Sequence, residues 1–306
     1  MSEQSPETLL DVTPSSLKGV GGHVPAADVG ALCEALDVGV EALMLRLLPV
    51  AASFATVPIS SFRVGAVALG QADAGLDSGA LYLGANVEFT GQALGFSVHA
   101  EQSAVINAWQ HGERGVTAIA TSAAPCGHCR QFLHEIVDSD GLRVLEPSTP
   151  GTEKVRVATL SQLLPHAFGA TDLGIDGGLL HQRFEDPTLT LSETTDGRDL
   201  LVEAALEAAR KSYVPYTGGR AGCAIANTAG EIFAGRYAES AAYNPSVSPL
   251  EAAVAFQVMN RPRGERIEIA RAVLVESPSA AGQRGASEAV LSSLAPGVTL
   301  EYYEAR

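Results

Sequence analysis

Residues 98–132 read VHAEQSAVINAWQHGERGVTAIATSAAPCGHCRQF. Three elements follow one another in this stretch. Apolar residues at helical spacing run from 100 to about 111, and a β-branched run spans 116–122. A second helix opens at Cys126, behind Pro125, and runs to about 137. Working outward, residues 62–70 and 80–89 read as strands. The segment between them, QADAGLDSG, is rich in turn formers and predicts a hairpin. Residues 142–145 add a strand. Upstream, Ala27, Val29, Leu32, Leu36, Val40, Leu43 and Leu47 recur at roughly helical spacing and predict one helix over 26–50. The order β-β-α-β-α-β implies a mixed sheet with helices packed on it, an α/β arrangement.

The same order returns after a polar stretch. Residues 182–199, QRFEDPTLTLSETTDGRD, are poor in long apolar side chains and read as a linker. Beyond it, helices are expected over 199–212, 249–259 and 286–294. Strands are expected over 221–227, 232–238, 268–275 and 298–303. Three sequence echoes in the same order argue for an internal duplication. PISSFRVG at 58–65 parallels PYTGGRAG at 215–222, and GANVE at 84–88 parallels GRYAE at 235–239. HAEQSAV at 99–105 parallels PLEAAV at 249–254. In this pairing Phe62 faces Gly219, His99 faces Pro249, and Glu101 persists as Glu251. The Cys126/Cys129 pair has no counterpart. The expected division is a helical N-terminal segment over 1–38, a first domain over 39–181, a linker over 182–198 and a degenerate second domain over 199–306.

A chain of 306 residues is comfortable for two domains, and 46% hydrophobic content supplies two cores. The formal net charge of −15 disfavours a polyphosphate partner, because no Lys/Arg cluster offsets it. The densest basic stretch, RPRGER at 261–266, carries a Glu of its own and reads as a solvated loop. Neither nucleic acid nor membrane is therefore an expected partner. No run approaches the roughly 20 apolar residues that cross a bilayer. The N-terminus MSEQSPETLLDV has neither the basic region nor the apolar core of a secretory signal. The expected compartment is the cytoplasm. There the four cysteines at 33, 126, 129 and 223 stay reduced, so the close pair reads as metal-binding or redox.

One His and two Cys make three ligands, the number a catalytic zinc site uses while keeping a fourth position open. Cys126 and Cys129 lie at i and i+3 on one helical face, and the free N–H groups of a helix start favour thiolates. His99 precedes a second helix, whose N-terminus converges on the first if the two lie side by side on the sheet. Bound Zn²⁺ brings the pKa of water from 15.7 to about 7. Glu101, two residues from His99, is expected to move protons rather than to ligate. One zinc per chain is expected, because the second half lacks ligands. A closed structural zinc site needs a fourth ligand. His128 is at hand, but it lies between the cysteines and should point elsewhere on the helix. A thioredoxin-type redox pair needs no His-x-Glu.

His99-x-Glu101 and Pro125-Cys126-x-x-Cys129 match the H-x-E…P-C-x-x-C signature of zinc deaminases that act on nucleobases. The match goes further. SFRVGA at 61–66, GANVEF at 84–89, VHAEQSA at 98–104, PCGHCRQF at 125–132 and YAESAAYNP at 237–245 resemble the cytidine deaminase family, in its long two-domain homodimeric branch. The resemblance covers the chain from about residue 30 to its end. It implies duplicated three-layer α-β-α domains, each a mixed sheet with helices on both faces, of which one lacks the metal. It implies hydrolytic deamination of cytidine and 2′-deoxycytidine to uridine and 2′-deoxyuridine plus ammonia, a step of pyrimidine salvage, with Glu101 as proton shuttle.

The resemblance also implies substrate contacts. Phe62 packs on the pyrimidine, and Asn86 and Glu88 meet the ribose 3′-hydroxyl. Ala242, with Tyr243 where the family often has Phe, closes over the nucleoside from the partner subunit of a homodimer. Glu88 would repel a 3′-phosphate, which agrees with the acidic charge in favouring a free nucleoside. The alternatives are a deaminase of a related nucleotide or base, and a non-catalytic zinc- or nucleoside-binding protein.

Overall fold

The computed structural model describes residues 21–72, 78–147, 155–193, 197–262 and 264–306. Each half of the chain builds a sheet outward from one hairpin. In the first half this is β2 (Gly65–Gly70) with β3 (Leu81–Ala85), and in the second β7 (Ala221–Ala226) with β8 (Ile232–Arg236). β4 (Val116–Thr121) lies antiparallel on β2, β5 (Arg143–Pro147) parallel on β4, and β6 (Val155–Thr159) antiparallel at the edge. β1 (His23–Val24) joins the opposite edge, giving the order β1-β3-β2-β4-β5-β6. The second sheet repeats the centre: β9 (Arg271–Glu276) is antiparallel to β7 and β10 (Leu300–Glu304) parallel to β9, in the order β10-β9-β7-β8.

Two glycines show how the layers form. Gly65 sits opposite Ala85 and Ala66 opposite Gly84, so the two glycines face opposite sides of the sheet. A Cβ at Gly65 would lie 2.4 Å from the Leu48 carbonyl of α2 (Val40–Ala52), and one at Gly84 would lie 2.2 Å from the Ala104 amide of α3 (Ala100–Gln110). Each helix therefore lies backbone to backbone on one face. Gly222 and Gly235 seat α6 (Leu200–Arg210) and α7 (Pro249–Asn260) in the same way. Both halves are three-layer α-β-α units, as expected. β2 and β3 are apolar and buried throughout because both faces are covered.

α3 and α7 pack on each other between the sheets. Their burial joins apolar side chains of both halves into one core. The polar Asn107 is satisfied inside it, donating to the carbonyls of Leu83 (2.9 Å) and Gly22 (2.6 Å) and accepting from Asn260 (3.1 Å). Among the described residues no helix is long and apolar enough to cross a membrane.

Several expectations need adjustment. The helix expected over 26–50 is two, α1 (Ala26–Leu36) and α2. Asp37 adopts the left-handed conformation (φ 50°) that ends α1, and Gly39 caps α2. The N-terminal segment is not wholly helical, since β1 joins the sheet; residues 1–20 of it lie outside the described residues, as does most of the hairpin turn over 71–79. The helix expected from Cys126 to about 137 is the shorter α4 (Gly127–Leu133), with Cys126 as its N-cap. The edge strand β6 and the short α5 (Leu160–Leu163) after it had not been expected. The 182–199 stretch is not loose where described. Phe184 packs edge-on against Tyr213 with ring centroids 4.9 Å apart, and Leu191 bridges Ala305.

The duplication holds in detail. Ser61 and Gly218 are both left-handed (φ 58° and 69°), and each follows a hydroxyl that accepts the amide two residues on, Ser60 from Phe62 and Thr217 from Gly219. Phe62 thus faces Gly219, as read from the echoes. The third echo is displaced by one residue. Val98 bridges Val87 as Val247 bridges Ala238, so His99 faces Ser248 rather than Pro249. Both residues are helix N-caps. Gln102 accepts from the His99 amide (3.0 Å) just as Glu251 accepts from the Ser248 amide (2.8 Å). Glu251 therefore corresponds to Gln102, and Glu101 corresponds to Leu250. The second half has lost the acidic group as well as the ligands, and Glu251 is the capping-box residue of α7.

Glu251 carries a prediction. Burial raises its pKa from 4.5 to about 7, against the opposing hydrogen bonds from Ser248. A carboxylate raised on folding loses stability for the fold as pH climbs from the unfolded value to the folded one. Glu251→Gln keeps the cap in the form Gln102 already has and removes the buried charge. It is expected to raise the unfolding free energy from urea titration at pH 8, by up to about 3 kcal/mol at roughly 1.4 kcal/mol per pH unit, and to have little effect at pH 5. An equal effect at both pH values contradicts this account.

Candidate active site and metal centre

α3 and α4 start side by side, and their caps bring the motif together. His99 Nδ1 lies 3.1 Å from Cys129 Sγ and 3.5 Å from Cys126 Sγ, and the sulfurs are 3.6 Å apart. Zinc at about 2.3 Å from sulfur and about 2.05 Å from nitrogen sets tetrahedral edges of roughly 3.8 Å (S–S) and 3.6 Å (N–S). The donor set and its spacing thus fit zinc. Among the described residues this is the one group of His, Cys, Asp or Glu side chains whose ligand atoms converge, all within 4.8 Å of one another. Neither Glu101 nor His128 belongs to it. His128 Nε2 instead meets the Gln102 amide nitrogen at 3.2 Å, so it turns away from the sulfurs as expected.

The backbone positions this set. Gln102 ties the His99 amide to the first turn of α3, and its side-chain nitrogen donates to the Pro245 carbonyl of the second half (3.1 Å). Arg130 donates to the carbonyls of Pro125 (2.9 Å) and Leu163 (2.8 Å), which fixes the approach to Cys126.

The two thiols differ sharply. A hydrogen bond from Cys129, the amides of Cys129 and His128 at the start of α4, and the nearby His99 pull the Cys126 pKa down to about 4 against partial burial. Cys129 is pushed up, first by the hydrogen bond its thiol donates to the Cys126 sulfur, then by burial and by the Glu101 carboxylate. The two sulfurs thus share one proton until a cation removes the repulsion between two thiolates. Glu101 is 4% exposed, and burial lifts its pKa above the usual carboxylate range, while its own backbone amide, Cys129 and His99 act the other way.

Phe62 is 61% exposed, which rules out a core role and leaves its ring free. Asn86 lies behind it, accepting from the Val64 amide and donating to the Phe62 carbonyl, both at 2.9 Å. Its amide shapes the 62–64 backbone. Glu88 accepts from the amides of Ile59 (2.8 Å) and Ser60 (3.0 Å) and from the Ser60 hydroxyl (2.5 Å). Slight burial works to raise its pKa, but these three donors hold it lower. Glu239 latches Tyr216 and Thr217 in the same manner in the half without metal ligands. Latching the turn is therefore common to both halves, and each latch leaves one carboxylate oxygen with only a hydroxyl partner.

Ala242 and Tyr243 are exposed on the loop whose Pro245 touches Gln102. Glu135, which the sequence did not single out, anchors that loop. Buried, it accepts from the Ala241 amide (2.7 Å) and from the hydroxyls of Tyr216 (2.6 Å), Tyr213 (3.2 Å) and Ser240 (3.3 Å). Gln102, also missed, was legible from its place three residues after His99, the spacing of a capping box. Glu135 carries no local signal, since its partners are 78–106 residues away.

Two family models, both described as "Cytidine and deoxycytidylate deaminase zinc-binding region", match the chain, one over residues 40–140 and the other over residues 160–287. A cytidine deaminase of Aeromonas hydrophila is 43% identical over 276 residues, 90% of this chain and 87% of that protein. One of Shewanella halifaxensis is 41% identical over 273 residues, 89% of this chain and 86% of that protein. Among solved structures, a cytidine deaminase from Burkholderia pseudomallei is 30% identical, with a TM-score of 0.35 over 42% of this chain and 98% of that one. Matched in each half by a model of this family, and over about nine-tenths of its length by relatives more than 40% identical, the chain belongs to the cytidine and deoxycytidylate deaminase family.

Proposed function

We propose that the chain hydrolyses cytidine and 2′-deoxycytidine to uridine and 2′-deoxyuridine, releasing ammonia, in pyrimidine salvage. The observation that carries this reading is the convergence of His99, Cys126 and Cys129 beside the buried Glu101. These three residues would hold one zinc ion, which supplies the Lewis acidity that makes water a nucleophile near neutral pH. Glu101 takes a proton from the attacking water and delivers it to ring N3, then takes the second proton from the new C4 hydroxyl and gives it to the amino nitrogen, which leaves as ammonia as the C4–N bond breaks and C4=O forms. A buried carboxyl with a raised pKa suits both halves of that task. Phe62 stacks on the pyrimidine. Asn86 and Glu88 orient the sugar, with the Glu88 oxygen bonded only to the Ser60 hydroxyl turned to the 3′-hydroxyl. Cytidine conversion, followed as loss of absorbance at the cytidine band with zinc-loaded protein, tests the reading.

The proposed division assigns 39–181 to the catalytic unit and 199–306 to a scaffold without metal, joined through 182–198. In a homodimer, Ala242 and Tyr243 of the partner cover the nucleoside; the exposed Phe62 and Tyr243 are apolar surface that such a partner removes from water. All four cysteines are unpaired, as a reducing compartment such as the cytoplasm keeps them. Phe62→Ala is expected to raise KM for cytidine about 10-fold or more, since base–aromatic stacking contributes roughly 1–3 kcal/mol, with zinc content unchanged. An unaltered KM contradicts the stacking role.

A further inference from the structure

Thr56 and Tyr213 hold equivalent positions in the two halves. The Thr56 amide donates to Asn86 and its carbonyl accepts from Glu88; Tyr213 does the same with Tyr237 and Glu239. At Tyr213 the groove beside this position is plugged by Phe184, and about 10 Å³ of space remains. At Thr56 the groove stands open as a cavity of about 530 Å³ between the halves. It is lined neither by the zinc ligands nor by Glu101.

The chemistry of its wall is distinctive. Three of the chain's 20 Lys and Arg residues, Arg63, Arg261 and Arg266, line it, against the single carboxylate of Glu265. Arg63 is anchored by the Ala55 carbonyl (2.8 Å). Arg261 reaches the Thr56 hydroxyl only at 3.5 Å, and its Nε and Nη1 are buried with no hydrogen-bond partner. An unpartnered buried donor costs about 1–3 kcal/mol, and more when charged. A turn of the guanidinium toward an acceptor in the cavity would relieve that cost. The volume falls within the range of small-molecule pockets, about 300–1,000 Å³, and Leu294 supplies apolar lining for an organic body. Guanidinium groups pair their N–H groups with carboxylate or phosphate, and three of them against one carboxylate suit the higher charge of phosphate.

We propose that this cavity binds a small phosphate-bearing anion of nucleotide size through Arg261, with Arg63 and Arg266. The cavity adjoins the turn that carries Phe62, but Phe62, Asn86, Glu88, Glu101 and the zinc ligands do not line it, and the proposal stands or falls independently of deamination.

Calorimetric titration of the full zinc-loaded chain tests it. The probes are inorganic phosphate and uridine 5′-monophosphate, added at low salt with excess uridine present to occupy the active site. Saturable binding of one anion per chain is expected, weakening as salt rises. Arg261→Gln is expected to weaken both probes at least 10-fold. Leu294→Trp keeps all three arginines and fills the cavity, so it should weaken the nucleotide more than inorganic phosphate. Binding of phosphate alone assigns the site to the free anion, and stronger binding of the nucleotide assigns it to phosphate on an organic body. Absence of saturable binding, displacement by uridine, or unchanged affinity in folded Arg261→Gln overturns the proposal. If Arg261→Gln does not fold, nucleotide affinity unchanged in Leu294→Trp overturns it.

Discussion

Glu101→Gln is expected to lower kcat for cytidine by about 10³-fold or more while the chain keeps its zinc. A positioned acid–base group contributes typically 10²–10⁴-fold per role, and Glu101 is assigned both the taking and the giving of protons. Gln has nearly the same shape but cannot accept a proton. The substitution also removes a buried acidic group whose pKa burial has already raised, so the fold should tolerate it. Metal analysis separates the two ways activity can fall. Zinc retained with turnover lost supports the shuttle, and turnover within 10-fold of the parent removes Glu101 from that role.

Cys129→Ala is expected to empty the metal site and reduce turnover to background. Cys129 is fully buried and lies within 3.6 Å of both other ligand atoms, so no neighbouring side chain replaces it. Two ligands do not retain zinc against competing chelators. The needed control is Cys223→Ala. Cys223 is equally buried, but it sits on β7 of the half without ligands and serves only as a small apolar side chain. That variant is expected to lose some stability and keep both zinc and activity. Loss of zinc in both variants would mean that packing, not ligation, explains the first result.

The sequence revealed the metal set because its ligands are local. His99, Cys126 and Cys129 each sit at a helix start, where spacing along the chain translates directly into position. The alternation of strands and helices likewise predicted a mixed sheet with packed helices, repeated in the second half. It failed where two physical causes produce the same letters. A glutamate near a helix start is either a functional acid or a capping-box residue, and the echo of Glu101 in Glu251 confused the two. Only the bridges at Val98 and Val247 fix the register. The long N-terminal helix was over-read for a related reason. Apolar spacing continues across 37–39, and the left-handed Asp37 interrupts the helix without interrupting the pattern. Glu135 and the unpartnered Arg261 were invisible because burial and long-range partners, not neighbours in sequence, give them meaning.

The residues proposed to bind substrate divide differently. Phe62, exposed and facing a glycine in the other half, is specific to the half that carries the ligands. Glu88 is not, since Glu239 repeats its latch where no ligands remain. A sugar contact at Glu88 is thus an addition to a structural role. Glu88→Gln should disturb the 58–61 turn as well as any recognition of the 3′-hydroxyl.

One measurement bears most directly on the central claim, that this chain deaminates cytidine at a single site built from His99, Cys126, Cys129 and Glu101. Purified protein is assayed for zinc and, in the same preparation, for conversion of cytidine to uridine and ammonia. One zinc per chain with stoichiometric release of both products is the predicted result. A fully zinc-loaded chain that leaves cytidine unchanged, or two zinc ions per chain, would contradict it.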